Sequence, residues 1–266
     1  MTKKSQSIVV TSGKGGVGKT TTVANLGVEL SRQGLDVVVI DLDFGLRNLD
    51  IALGLDDRIA FDLFDVLSGV CPVEKALIRD KRYERLAFLA AAQGKQAEDI
   101  PVDELHRLVE ELKDDFDYIL IDCPAGIGKG FSAAVAAGDV AIVVVTPEAS
   151  SVRDADKILA LLEQAELADF KLLINRLRPK MVSRNEAMSP QEIVEFLGVG
   201  VIGVLVEDEH VIAASNRGEV VVLDGKSPAA QGYQNIAKRL LGERVPIMQI
   251  THKPTFTEKF KNLFAK

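Results

Sequence analysis

The chain has 266 residues, 47% of them hydrophobic, which at this length is ample for one large core or two small ones. Lys and Arg number 32 against 39 Asp and Glu, and the net charge of −7 excludes a molecule built as a whole to coat nucleic acid or an anionic membrane. Two cysteines, Cys71 and Cys123, exclude a disulfide framework and show no C-x-x-C spacing for zinc or an iron–sulfur centre, so a reduced, cytosolic setting fits best.

The N-terminus carries Lys3 and Lys4, then polar Ser5-Gln6-Ser7, with no signal-peptide core. Ile8-Val9-Val10 is predicted as the first strand and Thr20 to Arg32 as the first helix. Between them stands Gly13-Lys14-Gly15-Gly16-Val17-Gly18-Lys19-Thr20-Thr21, which satisfies G-x-x-x-x-G-K-[ST] at a strand-to-helix turn. Glycines let backbone N–H groups wrap a β-phosphate at a helix N-terminus. Lys19 would neutralise the β/γ oxygens, and the Thr20 hydroxyl would ligate Mg²⁺. Lys14 is an extra lysine that an ordinary phosphate loop does not require.

The strand Val37 to Ile40 ends in Asp41-Leu42-Asp43. Taken as the neighbour of the first strand, it would bring these carboxylates to the waters of a bound Mg²⁺ and to an attacking water. After a helix over Val102 to Lys113, Tyr118 to Ile121 closes on Asp122-Cys123-Pro124-Ala125-Gly126, the layout of a Walker B aspartate followed by a loop that senses the γ-phosphate. Cys123 reads as a packed small residue.

Val140 to Val145 is a further strand, and Asp139 interrupts the apolar stretch around it short of a membrane span. The helix over Ser151 to Glu166 is expected to bury Val152, Ala155, Ile158, Leu159 and Leu162 and to turn Arg153, Asp154 and Lys157 outward. Leu172 to Ile174 delivers Asn175 to a strand end, and Pro190 to Leu197 and Val201 to Val206 complete the alternation. Unbroken apolar strands separated by crossover-length helices imply an α/β fold with a doubly wound, mostly parallel sheet.

Val245 to Pro254 lacks any period, so the sequence divides into a P-loop domain at 1–245, a connector at 246–255 and a terminal helix at 256–266. In that helix Phe256, Phe260, Leu263 and Phe264 share an arc of roughly 100°, flanked by Lys259 and Lys261. Residues 253–266 balance at +3 and leave −10 on the rest, which favours an amphipathic helix on an anionic membrane surface over a docked cap. Burying four such side chains yields roughly 6 to 12 kcal/mol. Ordering eleven residues costs on the order of 11 kcal/mol. One copy is marginal, and two copies joined in a dimer gain by effective concentration.

Lys14 to Thr21 resembles the deviant Walker A motif of the MinD/ParA ATPases, a SIMIBI-type branch of the P-loop NTPases. Asp43 to Asp50, Asp122 to Ile127 and Ser150 to Asp154 resemble the MinD family of septum-site-determining ATPases in particular, over nearly the whole chain. The resemblance implies ATP and Mg²⁺ as cofactors and a nucleotide-sandwich homodimer in which Lys14 reaches the partner's phosphates. It implies Lys14, Lys19, Asp43 and Asp122 as the catalytic set, Thr20 on Mg²⁺ directly, Asp43 and Asp122 on it through water, and Asn175 on the adenine. That family has proline where Val206 stands. It further implies that Arg153, Asp154 and Lys157 face a MinC-like inhibitor and a MinE-like activator. The location implied is cytoplasmic, peripheral on the inner face of a bacterial or plastid-type membrane. No nucleic acid is expected, although a ParA-type segregation ATPase is the alternative. An electron-transferring reductase of the nitrogenase iron-protein kind would need cluster cysteines that the frame around Cys123 does not supply.

Overall fold

The computed structural model describes residues 5–44, 48–96, 99–167 and 169–247. The expected terminal helix, with Phe256, Lys259, Phe260, Lys261, Leu263 and Phe264, lies outside the described residues. Eight strands form one sheet: β1 (Gln6–Thr11), β2 (Val37–Asp41), β3 (Ile78–Asp80), β4 (Tyr83–Leu89), β5 (Tyr118–Asp122), β6 (Val140–Val145), β7 (Asp169–Leu177) and β8 (Val201–Val206). Their order is β3-β4-β2-β5-β1-β6-β7-β8, and all pairs are parallel except the β3–β4 hairpin. The expected α/β class and mostly parallel sheet are observed.

One expectation fails in an instructive way: β2 is not the neighbour of β1. β5 lies between them, with Val10 opposite Asp122 on one side and Asp41 opposite Asp122 on the other. Chain order does not set spatial order in a doubly wound sheet, because each right-handed crossover can land on either flank of the strands already placed. The hairpin β3–β4 was not anticipated either, since Arg79, Glu84 and Arg85 break its apolar period.

Helices cover both faces. Buried residues of α1 (Lys19–Arg32), α2 (Leu49–Leu53), α10 (Glu209–Ser215) and α11 (Pro228–Leu240) form one core with the sheet, around Leu26, Leu30, Phe88, Leu120 and Ile236. Those of α3 (Leu63–Leu67), α4 (Val73–Ala76), α5 (Val102–Leu112), α6 (Lys129–Ala136), α7 (Ala149–Gln164) and α9 (Pro190–Leu197) form the other, around Leu105, Phe116, Ile121, Ile158 and Ile193. The short α8 (Pro179–Ser183) follows β7. β6 is buried at every position, as a strand covered on both sides must be. In such a sheet the loops beyond the carboxyl ends of the strands form the crevice for ligands, and the residues singled out by the motifs gather there. Among the described residues, no helix is long and apolar enough to cross a membrane.

Candidate nucleotide site

The loop from Gly13 to Gly18 leads from β1 directly into α1. Gly18 caps that helix at φ 106°, a left-handed conformation that side chains resist, and no side chain caps its first turn. No acidic residue stands in that turn either, so the backbone donors and the positive end of the helix dipole point into the loop's concavity. A Cβ at Gly18 would also stand 2.4 Å from Asn175 Nδ2, so glycine is required for space as well as for φ.

Lys19 is buried at 7% exposure, and its Nζ donates to Ser12 Oγ at 3.2 Å. Ser12 Oγ in turn donates to the Lys14 carbonyl at 2.7 Å and so ties the start of the loop to its lysine. Sequence reasoning passed over Ser12, because a serine before a glycine run has no distinctive spacing.

At the adjoining strand ends three aspartates converge. Asp122 is 1% exposed, and neither of its carboxylate oxygens has a hydrogen bond of good geometry among the described residues. Burial pushes its carboxyl up to about 7, against the opposing influence of the Thr20 hydroxyl and the Lys19 ammonium. Asp41, directly opposite it, is fully buried and held well above the ordinary carboxylate range by burial and by the Asp122 charge. Asp41 has a structural task that the sequence did not disclose: Oδ1 accepts from Asp43 N–H at 2.8 Å and Oδ2 from Leu49 N–H at 3.4 Å, which pins both ends of the loop carrying Asp43. The loop after Asp122 runs to Gly128, where α6 starts, and Ile127 is 60% exposed on it. Cys123 is buried without exposure, its thiol pushed up to about 12, in keeping with a packed residue.

These donors suit magnesium. Among the described residues no group of three His, Cys, Asp or Glu side chains closes into a metal cage. What the site offers is one hydroxyl, Thr20, beside the Asp122 carboxylate, a set for a hard cation that keeps its waters and takes its remaining ligands from phosphate.

Lys14 turns to α7, where its Nζ donates to Ser150 Oγ at 2.6 Å. The same helix presses on the loop at Gly13: a Cβ there would lie 2.5 Å from Asp154 Cβ, so only glycine permits this approach. Asp154 thus packs its Cβ against the loop while its carboxylate stays partly exposed beside Lys157. It is half-buried over the phosphate loop, 3.2 Å from Lys157 Nζ, while Arg153 and Lys157 are exposed. The helical period does not disclose this contact, because period reports a helix's own core face and not what packs on its end.

Beyond Gly18 and Thr21 a second compartment opens, lined by Asn175, Arg176, Leu205, Val206, Glu207 and Tyr233 among others. Asn175 is buried; its Nδ2 donates to the Val17 carbonyl at 2.8 Å, and its Oδ1 accepts from Arg176 N–H at 2.9 Å. It is a satisfied asparagine that locks β7 to the phosphate loop and still lines the cleft. Val206 forms part of the opposite wall.

Comparison with known proteins agrees with this geometry. A family model described as an AAA domain matches residues 5–173. The chain is similar to the septum site-determining protein MinD of Synechocystis sp., 51% identical over 242 residues and 91% of each chain. It is similar to the structure of the MinC:MinD cell division protein complex of Aquifex aeolicus, with a TM-score of 0.87 and 45% identity over 93% of this chain and 100% of that one. The septum site-determining protein MinD of Pyrococcus horikoshii, solved with Mg-ADP, superposes with a TM-score of 0.80 at 29% identity over 91% of this chain and 100% of that one. With a phosphate loop of this form and relatives matched over nearly its whole length, the chain belongs to the MinD family of septum site-determining proteins.

Proposed function

We propose that the protein is a Mg²⁺-dependent ATPase that dimerises over ATP, binds the membrane through its C-terminal segment and positions the division septum with two partners. The observation that carries this reading is the buried, unsatisfied Asp122 carboxylate between Thr20, Lys19 and Asp41, beside a helix N-terminus with open donors. Such a site is incomplete without an anion and a hard cation, and Mg·ATP supplies both.

In this mechanism the Gly13 to Thr20 backbone and Lys19 cradle the phosphates, and Thr20, Asp122 and Asp43 would hold the Mg²⁺ and its waters. Bound magnesium would neutralise charge on the β/γ oxygens. Asp43, held by the Asp41 clamp, orients the attacking water. Asn175 faces the adenine. Lys14 leaves Ser150 for the phosphates of the second subunit when the dimer closes, which links the ATP state to the α7 face that Arg153, Asp154 and Lys157 present to a MinC-like inhibitor and a MinE-like activator. Residues 1–245 would be the ATPase domain, with 246–255 as connector and 256–266 as the helix that reaches an anionic membrane. That the relative in the Aquifex aeolicus complex is paired with MinC supports the inhibitor part of this reading. The ParA-type alternative has less support, because a net charge of −10 on the body argues against the basic surface that DNA binding needs.

The test is turnover and vesicle co-sedimentation with ATP and ADP for the parent, Asp43→Ala and Phe260→Glu. The parent hydrolyses ATP and sediments with anionic vesicles only in ATP. Asp43→Ala binds ATP and stays on the vesicles without turnover, and Phe260→Glu turns over but stays in solution. Equal sedimentation of the parent in ADP and ATP contradicts the switch.

A further inference from the structure

The base compartment opens beside an interruption in the sheet. The β7–β8 ladder pairs regularly at Leu173–Gly203 and Ile174–Val204, then loses register between Ile174 and Leu177 and resumes at Leu177–Val206. Asn175 and Arg176 occupy the interruption, with Arg176 at φ 55°, a conformation a non-glycine residue holds only when its surroundings impose it. Both residues line the cleft and face Leu205 and Val206 across it.

Each wall is anchored at its inner end. Asn175 is bonded to Val17. On the far side Asp208 accepts from His210 N–H, Ser227 Oγ and Ala229 N–H, and so joins the starts of α10 and α11. At the mouth the walls meet through two contacts. Glu207 N–H donates to the Leu177 carbonyl at 2.9 Å. The Arg178 guanidinium grips the Glu207 carboxylate as a fork, Nη2 to Oε1 at 2.6 Å and Nε to Oε2, across 29 residues of sequence. This geometry is the strongest available to an ion pair, because two parallel bonds fix orientation as well as distance. Each partner favours the other's charged form, with Glu207 lowered and Arg178 raised from their ordinary values.

We propose that the Arg178–Glu207 fork is a strap that sets the width of the base compartment and thereby positions the base of the bound nucleotide. The inference rests on the nucleotide reading of the same cleft. Neither residue is catalytic; both act through the walls they join, and Asp41, Asp43 and Asp122 are not among the residues lining this compartment.

The strap is tested by calorimetric titration of the full chain with Mg·ATP and, separately, with inorganic tripolyphosphate and Mg²⁺, which carries the phosphate charge but no base. Variants are Arg178→Ala, Glu207→Gln, Arg178→Lys and the exchanged pair Arg178→Glu with Glu207→Arg. An exposed pair of this kind is expected to change affinity by about two- to fivefold. Arg178→Ala and Glu207→Gln should weaken ATP by that factor and leave tripolyphosphate unchanged. Arg178→Lys and the exchanged pair should recover part of the loss, and in turnover KM should rise with kcat constant. High salt should shrink the difference between parent and Arg178→Ala. Arg178→Ala binding ATP as the parent does at low salt, or an equal loss on tripolyphosphate, overturns the strap alone. A parent that binds no ATP overturns the nucleotide reading and the strap with it.

Discussion

The phosphate side and the base side of the cleft are built on opposite electrostatic terms. On the phosphate side Lys19, Asp41 and Asp122 are all buried, and the Asp122 carboxylate has no hydrogen bond of good geometry. On the base side the buried polar groups are hydrogen-bonded, the neutral amide of Asn175 at both ends and the Asp208 carboxylate by three donors, while the ion pair Arg178–Glu207 stands half-exposed in water. Burying charge without full compensation is expensive and persists only where something else recovers it. The phosphate side is thus a site that its ligand completes, and the base side is one formed in advance.

Replacing the charge that the phosphate side depends on has the largest expected effect. Lys19→Ala should weaken Mg·ATP by on the order of 10²-fold or more, because a buried cation facing phosphate is lost outright. Calorimetry that finds parent affinity in this variant would break the contrast at its strong end.

Gly18→Ala probes the seam between the two sides. The new Cβ meets Asn175 Nδ2 and must hold φ 106°, so a stability loss of about 1 to 3 kcal/mol is expected in urea unfolding. ATP and tripolyphosphate should both weaken, since the helix cap and the base wall shift together. A variant that loses only one of the two would show that the compartments are less coupled than the Asn175–Val17 bond implies.

Legibility in the sequence follows the same division. A phosphate-wrapping turn requires glycines and a lysine at fixed spacing, so Gly13 to Thr20 announced itself, and the apolar strands announced a parallel sheet. The insertion of β5 between β1 and β2 was illegible, because crossover direction leaves no mark on a strand's own residues. So were the tasks of Ser12, Asp41 and Ser150, which exist only through neighbours brought close by folding. The packing of Asp154 on the loop was illegible for the same reason: the glycine that lets α7 settle there sits at residue 13. The Arg178–Glu207 fork joins two loops of unremarkable polar sequence, and no periodicity links them.

The most diagnostic effect is the pH dependence of the ligand-free protein. Asp122 titrates near 7 in the folded chain against an ordinary carboxylate value near 3.8, and Asp41 is raised in the same sense. Between those values the folded state binds more protons than the unfolded one, so stability is full in acid and is lost as pH rises through about 7. Asp122→Asn should flatten that slope.

Thermal unfolding followed from pH 5 to pH 8, with and without Mg·ADP, tests the central contrast most directly. The ligand-free protein should melt at progressively lower temperature as pH rises, while the Mg·ADP form should hold or gain, because the ionised carboxylates then face a cation and its waters. Two parallel curves, or a ligand-free curve that does not fall with pH, would contradict a phosphate side left electrostatically unfinished by the protein and completed by its ligand.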